Sequence, residues 1–207
     1  MDRPDLNDIE RRPQQYWNVD GLPELVMGVL WMLWGVAWLV GEALPRSAAN
    51  YYWMITPVLL AGSAVAAVRV IRSLKARVTF PRTGYVEWKE PTTAARLGTA
   101  AVAMVVAAVV AGVVLRGGAG GGRNAPVVLG VILSLAFLVA SVRQHAPHLL
   151  ALAGVALALG LAVGTIAEGW TAANWIFVGI GAATAALGAL RLSRFISQNP
   201  RASVEGA

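Results

Sequence analysis

LPELVMGVLWMLWGVAWLVGEAL, residues 22–44, decides the fold. From Leu25 to Gly41 it carries no charged side chain. A helix needs about 20 mostly apolar residues to cross the hydrocarbon core of a bilayer, and this run is long enough. It is too long for the apolar part of a secretory signal, and the mixed acids and bases of MDRPDLNDIERRPQQYWNVD before it do not resemble a signal's basic start. The run reads as a retained anchor. It is continuously apolar rather than alternating, which predicts a helix and not a barrel strand. Within lipid, a helix also satisfies its backbone amides inside one segment.

The rest of the chain fits the same solvent. Of 207 residues, 57% are hydrophobic and 14% charged, against about 45–50% and about 25% in soluble domains. Five more apolar runs qualify as spans, at about 51–71, 93–115, 125–142, 147–167 and 171–190. The expected fold is therefore all-α. It is a polytopic transmembrane bundle of six helices over residues 22–190, between a polar N-terminal segment (1–21) and a polar tail (191–207). Pro126 and Pro147 suit first turns, and RGGAGGGR (116–123) reads as a flexible linker. Pro57, well inside the second span, withholds an amide from the carbonyl of Trp53 and predicts a kink.

Cationic side chains set the orientation, since Lys and Arg accumulate in cytoplasmic loops. Of the 17 Lys and Arg, only Arg46, Arg116 and Arg123 fall on one side of a six-span arrangement. The other side holds Arg3, Arg11 and Arg12, the cluster from Arg69 to Arg96, Arg143, and Arg191, Arg194 and Arg201. Both termini are thus expected to be cytoplasmic. So is the loop 72–92, whose centre KARVTFPRTGYVEWKE predicts a short β-hairpin turning at Pro81 to Gly84.

The distinctive polar text lies on that face. Asp20 suits a helix N-terminus, and Glu24 lies at the inner boundary within reach of the basic loop, so capping and ion pairing are the simplest roles. With Arg77, Arg82, Tyr85 and Trp88, these acids form a candidate cytoplasmic interaction surface. Phe80, Tyr85 and Trp88 suit the headgroup level, and the loop's cations suit anionic lipid headgroups. Trp31, Trp34 and Trp38 share one face of the first span. With Ser63 they make a candidate intramembrane pocket, or a packing face. Gly160, Gly164, Gly179, Gly181 and Gly188 have the small side chains that let membrane helices approach closely.

Other chemistries lack their residues. There is no Cys, and no span carries a charge or His near its middle, as most ion paths do. His145 and His148 lie on one short turn without further ligands nearby in sequence. No phosphate loop or HExxH occurs, and Ser63 has no His base in any span. No catalytic residue, cofactor, metal or nucleic-acid partner is expected.

The pairing of YWNVDGLPEL (16–25) with FPRTGYV (80–86) resembles a group of uncharacterised bacterial multi-spanning membrane proteins. These carry a similar Asp-Gly-Leu-x-Glu-Leu lead-in and a similar aromatic-Pro-Arg-x-Gly-Tyr-Val loop. The resemblance covers roughly the first 90 residues. It implies a bacterial inner membrane and supplies no activity. The expected function is a non-enzymatic interaction or accessory subunit, with lipid and a protein partner or a second copy as its contacts. A small-solute permease or channel is the alternative, and a membrane enzyme comes third.

Overall fold

The computed structural model describes residues 20–83, 124–144 and 146–200. The N-terminal segment before Asp20, the apolar run 93–115, the linker 116–123, Tyr85, Trp88, His145 and residues 201–207 lie outside the described residues. All regular elements among the described residues are helices: α1 (Leu22–Ala43), α2 (Arg46–Val78), α3 (Phe80–Thr83), α4 (Ala125–Gln144), α5 (His148–Ile166) and α6 (Gly169–Gln198). Five of them, all but α3, are long and apolar enough to cross a membrane.

Their surfaces match that solvent. Leu33, Val58, Leu135, Leu161 and Leu190 are exposed, one on each long helix. Monomers in water rarely leave large contiguous apolar patches uncovered. In lipid such surface costs nothing.

The chain divides into two compact units, residues 1–88 with 181–207, and residues 89–180. In the first, α1 lies antiparallel to α2. Tyr52 of α2 donates its hydroxyl to the carbonyl of Ala37 at 2.6 Å, and Lys75 reaches back to Asp20. On its other side α1 runs antiparallel to the C-terminal part of α6, with Gly21 against Gly188 and Gly28 against Gly181 and Ala185. The backbones nearly touch. A methyl placed on Gly28 would run into the main chain of Ala185 and Gly181, so small residues are required here. Gly21 is constrained twice, by a left-handed backbone (φ 71°) and by the carbonyl of Gly188.

In the second unit α4 and α5 form an antiparallel pair whose backbones come together at Gly130 and Gly160. The turn between them is tied by Ser141, whose hydroxyl and carbonyl each bond the backbone of Ala146 at 3.0 Å. Leu152, Ala153 and Ala156 of α5 are buried, as are Ala172, Ala173 and Ile176 at the start of α6.

One sequence expectation is corrected where residues are described. The loop was expected from residue 72, with extended backbone at Val78 to Phe80. Instead α2 stays helical to Val78 and α3 adds one more turn. Lys75 and Thr79 stand one turn apart and must both meet Asp20, a geometry that a helix supplies and a strand does not. Pro81 explains the break, because it has no amide to give the carbonyl of Arg77. At 33 residues, α2 is about 50 Å long, well over the ~30 Å hydrocarbon core. It continues unbroken through Pro57.

Candidate functional site: ion pairs where three helix ends meet

The start of α1, the end of α2 and the end of α6 converge on two carboxylates. Asp20 immediately precedes the left-handed Gly21, which turns the chain so that the Asp20 side chain folds onto the helix it introduces. Its Oδ1 accepts the amide of Leu22 at 3.1 Å. Its Oδ2 accepts Lys75 Nζ at 2.5 Å and Thr79 Oγ1 at 2.6 Å. Both ions are essentially buried, with side chains 0% (Asp20) and 1% (Lys75) exposed. One turn further along α1, Glu24 Oε1 accepts Arg191 Nη1 of α6 at 2.5 Å. Thus α1 holds one neighbour with each acid: α2 through Asp20 and α6 through Glu24.

The electrostatics are those of a sealed pair. A buried charge is tolerated only with a partner and further hydrogen bonds, and Asp20 has three donors. Carboxylates at the start of α1 also meet the positive end of its dipole. Lys75 lies beyond the apolar span 51–71. Burial lowers its pKa from the ordinary lysine value, against the raising effects of the Asp20 hydrogen bond and of the Asp20 and Glu24 charges.

The sequence expected capping and an ion pair for these acids, and the geometry contains both. Asp20 and Glu24 are themselves buried, enclosed by the partners that neutralise them. Of the other residues assigned with them to a cytoplasmic interaction surface, Arg77 is exposed. Arg82 is half-buried and donates to the carbonyl of Val78 at 2.7 Å. Tyr85 and Trp88 lie outside the described residues.

The second expected group is partly assembled. Trp34 Nε1 donates to Ser63 Oγ at 2.9 Å, and the Ser63 hydroxyl in turn donates to the carbonyl of Leu60 at 2.7 Å. Trp38 packs on Trp53 with ring centroids 5.0 Å apart. Trp34 and Trp38 therefore turn toward α2 and bind it to α1. Trp31 is half-buried on the same helix. Glu42 and Arg46, at the far end of this unit, are both exposed.

Sequence reasoning missed Lys75, Thr79 and Arg191 as the partners of the two acids. A signal existed. Ala67, Ile71, Lys75 and Thr79 follow one another at four-residue steps, and all four are buried, so the cation continues an inward-facing apolar stripe.

No family model, curated protein or solved structure matches this chain. What the fold defines is a helical protein equipped for a membrane, with its described ion pairs Asp20–Lys75 and Glu24–Arg191 grouped at one end of α1.

Proposed function

We propose that this chain is a six-span protein of a bacterial inner membrane, with both termini cytoplasmic, that acts without catalysis as an interaction or accessory subunit. The observation that carries the reading is the ion-paired convergence of the start of α1 with the ends of α2 and α6. It puts Arg69, Arg72, Lys75, Arg77, Arg82, Arg191 and Arg194 toward one end of their helices, while Arg46 stands at the other. That bias is the one that holds cytoplasmic loops inside. Tyr51 and Trp53 near the start of α2, and Trp170 at the start of α6, suit an aromatic belt at the opposite boundary.

Composition supports a sixth span beside the five long helices. The run 93–115 has the length and apolar character of a crossing segment, and a six-span count is the one that leaves 14 of the 17 Lys and Arg on a single side.

Interaction is favoured over transport by the fate of the polar groups. Trp34 and Ser63, which a permease would turn to a solute, bond to one another. Arg77 and Arg82 lie at the cytoplasmic end of α2 and in α3. A photo-crosslinking residue at Arg82 in native membranes tests the reading. Capture of a discrete protein partner, absent when the probe is at Arg46, is the expected result. Indistinguishable background at both positions would overturn it.

A further inference from the structure

The exposed face of α2 carries a pattern that the ion pairs leave unused. Tyr51, Ile55, Val58, Gly62, Val65, Arg69 and Arg72 follow one another at alternating steps of four and three residues, and every one is exposed. That spacing makes a single stripe along the helix. Its 21-residue rise from Tyr51 to Arg72 is about 31 Å, close to the ~30 Å hydrocarbon thickness. The stripe begins with an aromatic hydroxyl, continues apolar, and ends in two guanidinium groups. At Gly62 it dips, for a methyl placed there would meet no atom within 4 Å.

The two arginines differ from their neighbours. Lys75 and Arg191 are neutralised by Asp20 and Glu24. Arg69 and Arg72 make no ion pair among the described residues. They precede Lys75 by two turns and one turn, roughly 9 and 4.5 Å toward the membrane interior, the depth at which long cations snorkel to phosphate. A guanidinium matches a phosphate bidentately.

We propose that this stripe binds an anionic phospholipid of the cytoplasmic leaflet. Its phosphate lies between Arg69 and Arg72, and an acyl chain runs over Val65, Gly62 and Val58. The proposal rests on the membrane reading above. A second copy of the chain is the other natural occupant of a stripe with this spacing. Charge decides against it: two-fold symmetry about the membrane normal sets α2 parallel to its mate and brings Arg69 and Arg72 against their equivalents, like charges in a poorly screened setting.

The test uses the full chain, extracted in mild nonionic detergent, with retained phospholipids quantified by mass spectrometry against the whole membrane. The unaltered chain and Arg46→Gln are expected to enrich anionic over zwitterionic lipid. The double variant Arg69→Gln/Arg72→Gln is expected to lose that enrichment by on the order of tenfold or more. Equal enrichment in all three overturns the proposal. So does a disulfide-linked dimer formed through Gly62→Cys in native membranes, which would show a second copy on the stripe. Release of the chain by alkaline carbonate would instead sink the membrane reading itself, and the lipid site with it.

Discussion

Asp20 is an acid with no exposed surface, and its neutrality as a pair depends on a lysine 55 residues away. Lys75→Met leaves that carboxylate buried and uncompensated, so we expect a loss of about 3–5 kcal/mol. Thermal unfolding in detergent reads it. The pair Asp20→Asn/Lys75→Met should recover much of the loss, since a neutral pair of similar volume avoids desolvating either charge. A double variant as unstable as the single one contradicts the pairing. Trp34→Phe and Ser63→Ala should each cost little and should couple by about 0.6 kcal/mol, the usual size of such bonds between membrane helices. Zero coupling would mean that the two groups serve something else. In the sequence, Asp20 and Glu24 were legible as helix-start acids that want cations. Their partners were not named, because a contact across 55 or 167 residues leaves no pairing signal, only the four-residue spacing that sets Lys75 in line with Ala67 and Ile71.

The helices were read well in kind and less well in extent. The apolar runs at 22–44, 51–71, 125–142, 147–167 and 171–190 each coincide with a helix, since lipid allows that backbone little else. The ends of α2 and α6 were underestimated because hydropathy stops at the membrane while hydrogen bonding does not. Past residue 71, α2 is carried on by the buried Lys75 and Thr79, and the β-prone letters of Val78 and Phe80 do not override that contact. Small residues make the sharpest prediction about these helices. Gly28→Leu should separate α1 from α6 and cost at least about 1–3 kcal/mol. Gly62→Ala, facing open space in mid-helix, should be neutral or stabilise by about 0.5–1 kcal/mol. The same unfolding assay ranks them. The reverse order would show that α1 and α6 are not in close contact. The sequence marked Gly181 and Gly188 for close packing, yet it could not name α1 as their neighbour.

For the whole molecule, the orientation we propose rests on where the cations sit and on which helix ends the two acids tie together. The chain has no native cysteine, so single substitutions report on sidedness without background. The most direct measurement places Arg46→Cys and Arg77→Cys in separate chains and exposes intact cells to a membrane-impermeant maleimide. Our account predicts labelling at position 46 in intact cells and at position 77 only after the membrane is opened. Labelling at 77 in intact cells, or protection at 46 that persists after opening, would contradict it.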